Sequence, residues 1–195
     1  ARPQNAKIAN NLFKNGDFIG SQKVYKEILN TNPNDLKSLI YMGYISLLFN
    51  RLDEAETWFS KVKKIKSNLP TLNYFTSEIY HRQKQFSKAA PLYRASGKEA
   101  IAKKMEYFTN IQPYEMDKGF NEINIKFIVT DPLPIVEVII NNECKGYFII
   151  DTGGGELILS DDFVKKTKVD SFGIEKGSEF GGGKKAPMGH GAISS

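Results

Sequence analysis

The first half of this chain repeats itself at a constant step of 34 residues, and that step restricts the possible folds more than any other feature. Phe18, Leu52 and Phe86 form one column; Ser21, Ala55 and Ala89 form a second; Tyr25, Phe59 and Tyr93 form a third. A further column, Ala9, Gly43 and Ser77, supplies a small residue upstream of each set. Small residues at one register let two helix backbones approach closely, and an aromatic residue four positions after a small one fills the gap between neighbouring helical hairpins. An unrelated helical bundle has no need of a constant step, whereas a stacked array requires one.

The pattern predicts six helices in three pairs over residues 1–110, then a seventh from about Lys98 to Phe108 that caps the stack. The 34-residue period, the small and aromatic columns, and Pro33 in Asn32-Pro33-Asn34-Asp35 at the end of the first unit resemble the tetratricopeptide repeat family. The resemblance implies an all-α solenoid with a concave surface that takes a peptide or a partner protein. Trp58 and Tyr80 admit two readings, packing within the stack or stacking on a ligand.

Charge is divided between the halves. Residues 1–110 carry 18 Lys and Arg against 9 Asp and Glu, and residues 111–195 carry 9 against 13, so the overall +5 belongs to the repeats. The densest basic run, Lys61 to Lys66, is interrupted by Val62 and Ile65, which marks a solvated helix face rather than a nucleic-acid patch. No nucleic-acid partner is expected, although a basic surface attracts an acidic partner or an anionic membrane. No apolar run reaches the roughly 18 residues that a membrane-spanning helix needs. One cysteine, Cys144, excludes an internal disulfide and reads as a structural thiol, and His81 and His190 are too few and too far apart to suggest zinc. No cofactor or metal is expected. The chain starts Ala1-Arg2-Pro3 without a methionine, as either a processed signal sequence or a trimmed chain would leave it, so a periplasmic or secreted location is only slightly favoured over a cytoplasmic one and the compartment stays open.

After Asn110 the periodic apolar face is lost. Residues 111–119, bracketed by Pro113 and Gly119, read as a linker, and a β-rich second domain is expected over 120–195. Ile123 to Val129 alternates as a strand does; Leu133 to Ile140 reads as another strand, Asn141-Asn142 as its turn, and Lys145 to Ile150 as the returning strand. That strand runs into Asp151-Thr152-Gly153, followed by Gly154 and Gly155. An acidic residue at the buried end of an apolar strand is costly unless it has a role, and glycines let the backbone turn sharply beside it. Leu157-Ile158-Leu159 then reads as a strand, and Ser160 as the cap of a short helix with Asp161 and Asp162 in its first turn. A plain hairpin turn is the alternative reading of Asp-Thr-Gly taken alone.

Taken in order over about Asn121 to Val169, these elements resemble the first half of a retropepsin-like aspartic protease domain, so the expected architecture is a helical-repeat solenoid followed by an all-β acid-protease domain. The resemblance implies that Asp151 is the catalytic carboxylate, that Thr152 hydrogen-bonds across to an opposing turn, and that Gly153 makes room for that turn. In that family two carboxylates share a proton and activate one water for attack on a peptide bond, with no metal or organic cofactor. One motif is present, so the second Asp151 is expected from another copy of the chain in a symmetric homodimer. Gly154 stands where the family has Ala or Ser. The family's supporting strand, two apolar residues and a glycine, has no counterpart before Ser195, and Phe180-Gly181-Gly182-Gly183 through Gly191 approaches or forms the flap, so the domain is expected to be partial. Gly181-Gly182-Gly183-Lys184-Lys185 fails the phosphate-loop spacing, and Pro187 blocks a following helix, leaving a hairpin or loop. Three functions therefore compete: an aspartic endopeptidase whose repeats recruit a protein substrate, a non-catalytic binding scaffold fused to an incomplete protease-like domain, and a spacer whose second domain binds a peptide by strand addition.

Overall fold

A computed structural model of the protein describes residues 3–111, 119, 122, 124–141, 143–151, 157–180 and 184–192. The chain divides into two compact units, Ala1–Thr109 and Asn110–Ser195.

The first unit is a stack of helices: α1 (Pro3–Lys14), α2 (Phe18–Thr31), α3 (Leu36–Leu48), α4 (Leu52–Ile65), α5 (Pro70–Arg82), α6 (Phe86–Ala95) and α7 (Glu99–Tyr107). Each helix packs on the next in sequence, and α3 also touches α5 directly. This is the tetratricopeptide-like arrangement of three helical hairpins and a seventh helix that the 34-residue step implies.

The step is also written in the backbone. Gly16, Asn50 and Lys84, 34 residues apart, all adopt the left-handed conformation, with φ of 82°, 55° and 57°. Each ends the first helix of its hairpin with the same pair of hydrogen bonds: Gly16 and Asp17 N–H donate to Phe13 and Leu12, Asn50 and Arg51 to Leu47 and Ser46, Lys84 and Gln85 to His81 and Tyr80. This double closure satisfies carbonyls that the helix end leaves open. A side chain with a Cβ is strained there and glycine is not. Lys84→Gly is therefore expected to raise stability by about 0.5–1 kcal/mol, the steric relief outweighing the added freedom of the unfolded chain; urea denaturation monitored by circular dichroism measures it.

The small columns lie at the helix crossings. Ala9, Ser21, Ala55, Ser77 and Ala89 are completely buried. Ser21 Oγ donates to the Ala9 carbonyl at 2.9 Å, joining α2 to α1. At Gly43, an added Cβ would clash with the Phe59 ring, with Cε1 the nearest atom. The aromatic column, Tyr25, Phe59 and Tyr93, is buried in the same way. Two clusters result: one built on Tyr25, Ile28, Leu39, Ile45, Val62 and Ile79, the other on Phe86, Ala89, Tyr93, Ala102 and Met105. Outside the second cluster, Arg94 ties α6 to α7 through Glu99 at 3.0 Å and Glu106 at 2.8 Å, and it holds the Glu106 carboxyl below its ordinary range. The lysines of the 61–66 run are exposed while Val62 is buried, as a solvated helix face requires.

In the second unit, β1 (Ile135–Ile140) and β2 (Cys144–Ile149) pair antiparallel from Ile135 opposite Ile149 to Ile140 opposite Cys144. A short helix, α8 (Asp161–Thr167), follows, capped by Ser160, whose side chain accepts from Phe163 N–H. Then β3 (Asp170–Phe180) and β4 (Lys184–Ala192) pair antiparallel, closing at Phe180 opposite Lys184. Two expected strands are not formed among the described residues. Asn124 to Val129 contributes one isolated bridge, Val129 to Ile135, and Leu157-Ile158-Leu159 joins no ladder among the described residues. Apolar composition favours a pleated, half-buried surface, but a strand exists only where a neighbour supplies the ladder. The described residues thus make two separate two-stranded sheets and a helix, in place of the expected all-β acid-protease domain. Gly181-Gly182-Gly183, Pro113, Phe120, Ile123 and Asn142 lie outside the described residues.

Candidate functional site

The turn singled out by sequence begins where β2 ends. Ile150 N–H donates to the Pro134 carbonyl at 2.9 Å, holding the strand beside its partner one residue beyond the ladder; Asp151 comes next and is exposed, not at a buried strand end as expected, because Ile149 and Ile150 before it are exposed as well. Thr152, Gly153, Gly154 and Gly155 lie outside the described residues, so of the sequence-derived catalytic group the structure places Asp151 alone.

What fixes this hairpin is its contact with α8. Phe148 meets Phe163 edge-on, with ring centroids 5.6 Å apart. Gly146 sits beneath that ring, where a Cβ would come within 2.7 Å of Phe163 Cζ. The turn residue Asn141, in the left-handed conformation, donates through Nδ2 to the Thr167 carbonyl at 2.6 Å, and the Cys144 thiol lies 3.4 Å from the Lys166 carbonyl. Cys144 therefore fastens the hairpin to the helix, as a structural thiol does. The other face of the hairpin, with Ile139, Tyr147 and Ile149, is exposed. An exposed carboxylate accepts hydrogen bonds from a ligand or a water, but proton-sharing chemistry needs a second one beside it.

The helical unit offers a different kind of site. Its first helices α1, α3 and α5 carry half-buried residues at the repeat step: Ala6, Ile40 and Tyr74 in one column, Asn10, Tyr44 and Glu78 in the next. Tyr44 is held by its neighbours, stacked on Phe75 at 4.7 Å and 5.4 Å from Phe13. Asn10 accepts from the Tyr41 hydroxyl at 3.0 Å. Glu78 accepts from the Tyr93 hydroxyl at 2.6 Å, and His81 Nδ1 lies 3.0 Å from the same oxygen. With the hydroxyl proton committed to Glu78, Nδ1 carries the proton that joins His81 to Tyr93. Burial, and then Glu78, push the Tyr93 hydroxyl far above the ordinary phenol range.

A recess lies between α2 and α4, a groove of about 320 Å³ lined by Gln22, Lys23, Lys26, Met42, Arg51, Glu54 and Trp58. The Trp58 ring packs on the first cluster, its indole N–H pointing at Glu54 Oε1, 3.4 Å away, with Lys61 Nζ 4.3 Å over its face. Tyr80 packs on the second cluster with Lys88 Nζ 5.4 Å from its centroid. Both aromatics are thus packing residues that keep one face near solvent.

Ile40, Tyr44, Tyr74 and Glu78 escaped the sequence reading because their columns mix unlike side chains. The signal was available: Asn10, Tyr44 and Glu78 each directly follow the small column. The groove residues come from three helices, and no linear spacing joins them.

No family model matches the chain, and no curated protein matches it. Among solved structures it is similar to the Yersinia enterocolitica type III secretion chaperone SycD in complex with a peptide of the translocator YopD, at 12% identity and a TM-score of 0.46, covering 54% of this chain and 87% of that one. It is similar to PcrH from Pseudomonas aeruginosa at 14% identity and a TM-score of 0.44, covering 54% and 86%. It is also similar to the TPR2B domain of yeast Sti1 in its pHsp70 complex, at 16% identity and a TM-score of 0.43, covering 54% and 94%.

Proposed function

We propose that the protein is a binding scaffold whose helical repeats hold a segment of a partner protein or peptide across α1, α3 and α5. The observation that carries this reading is the pair of half-buried columns, Ala6, Ile40, Tyr74 and Asn10, Tyr44, Glu78, which offers apolar surface and hydrogen-bonding groups in alternation along the stack. Aromatic side chains already locked by packing lose little freedom when a ligand meets them. Peptides selected from a displayed random library on the full chain, with affinities measured by calorimetry, test it. Ile40→Glu with Tyr44→Glu is expected to weaken them by about tenfold or more, since a buried charge meets an apolar contact. Selected peptides that bind the double variant as tightly as the parent would sink the reading.

A second reading makes the chain an aspartic endopeptidase, with Asp151, Thr152 and Gly153 paired against a second copy and the repeats recruiting the protein substrate. One observation favours it: an exposed carboxylate follows directly on an apolar β-hairpin and precedes a capped helix, the order the resemblance requires. On unfolded polypeptide between acid and neutral pH, Asp151→Asn is expected to reduce cleavage by a factor of about 100 or more. Equal cleavage by the two proteins would rule it out.

A further inference from the structure

The groove between α2 and α4 has a composition that the first-helix face lacks. Its floor is apolar, Met42 at 2% exposure and the Trp58 ring, while its rim is cationic, with Lys23, Lys26 and Arg51 against a single carboxylate, Glu54. Glu54 is already engaged by Arg51 at 3.1 Å and faces the Trp58 indole N–H at 3.4 Å. Lys23 and Lys26 make no ion pair among the described residues, and Lys61 adds a further positive charge over one face of the indole. Lys23 and Lys26 stand one turn apart on α2, so both ammonium groups border the same recess.

We propose that this groove is a docking site for an acidic segment of another polypeptide, which places one apolar side chain on Met42 and Trp58 and its carboxylates against Lys23 and Lys26. Charge complementarity selects the occupant. A rim of three cations around one committed carboxylate repels basic chains and attracts acidic ones, and an apolar floor closed by a tryptophan gains most from a side chain that covers it. A volume of about 320 Å³ suits one large side chain and its flanking backbone. The site lies on residues separate from Ile40, Tyr44 and Tyr74, so it does not depend on the first-helix face being occupied.

Trp58 is the chain's single tryptophan, which makes intrinsic fluorescence a direct reporter of the groove. The probes are three synthetic peptides, glutamates flanking one leucine, the same length in glutamate alone, and lysines flanking one leucine, together with a single-stranded oligonucleotide. The glutamate and leucine peptide is expected to change the Trp58 emission saturably, with affinity falling as salt rises. Lys23→Glu with Lys26→Glu, on the exposed face of α2, is expected to weaken it about tenfold while circular dichroism stays unchanged. The all-glutamate peptide is expected to bind more weakly and the lysine peptide not at all. Ile40→Glu with Tyr44→Glu leaves this response intact, which separates failure here from failure of the first-helix reading. A response as large to the lysine peptide or to the oligonucleotide, an undiminished response in the Lys23 and Lys26 double variant, or none to any acidic peptide overturns the proposal.

Discussion

Tyr93→Ala is expected to destabilise the helical unit by about 3–5 kcal/mol, the range for truncating a large buried aromatic side chain. The ring is completely buried and meets Tyr74 and His81 edge-on, at 6.2 Å and 6.0 Å between centroids. Its loss opens a cavity in the smaller of the two clusters, where Ala89 and Ala102 are too short to fill it. The hydroxyl matters separately, because it donates to Glu78 and is met by His81. Tyr93→Phe keeps the packing and is expected to cost about 1.5–3 kcal/mol, the range for a hydrogen bond to a charged group. The pH dependence has a definite sign. Since the folded hydroxyl holds its proton far above the phenol range, the stabilisation is complete below the unfolded pKa of about 10 and declines as the pH rises above it, where only the unfolded chain ionises. Denaturant titrations of the parent and both variants at neutral and alkaline pH provide the check; equal stability of the parent and Tyr93→Ala would refute the packing account.

Gly43→Ala is the second large effect, a loss of about 1–3 kcal/mol from a single added methyl group. Gly43 lies in the middle of α3, where alanine should favour helix by roughly 1 kcal/mol, so a net loss would mean that packing overrides propensity. The obstacle is the Phe59 ring, against which the new Cβ would clash. That ring cannot move freely, being stacked on Phe75 at 5.4 Å, which in turn stacks on Tyr44 at 4.7 Å. The two positions are therefore coupled. Gly43→Ala introduced into a Phe59→Leu background is expected to cost less than in the parent, a non-additivity that thermal or urea unfolding of the four proteins measures. Additive costs would assign the loss to some cause other than this contact.

The helical half was legible from sequence because its repeat fixes several things at once. The columns at Ser21, Ala55 and Ala89 and at Tyr25, Phe59 and Tyr93 each name a buried layer, and one period sets all three hairpins. The seventh helix, expected from about Lys98 to Phe108, runs from Glu99 to Tyr107 with those two residues as its caps. The β-hairpin and the Ser160 cap were legible for local reasons, a turn residue that tolerates positive φ and a hydroxyl preceding two acids. Leu157-Ile158-Leu159 and the stretch before Val129 were not, since apolar residues name a strand only when their partner is known, and pairing is a property of the whole sheet. The α2 and α4 groove was hidden for a related reason: Lys23, Met42 and Trp58 are brought together by packing between hairpins, and nothing in their spacing announces it.

The division of the helical core into two clusters has a kinetic meaning. Leu72 and Ile79 on α5 belong to the first cluster, while Tyr74 and Tyr80 on the same helix pack against the second. That makes α5 a seam. In an array held by contacts between adjacent hairpins, a terminal hairpin has fewer neighbours to resist its opening than a central one, so α6 and α7 are expected to exchange their amide protons ahead of α3.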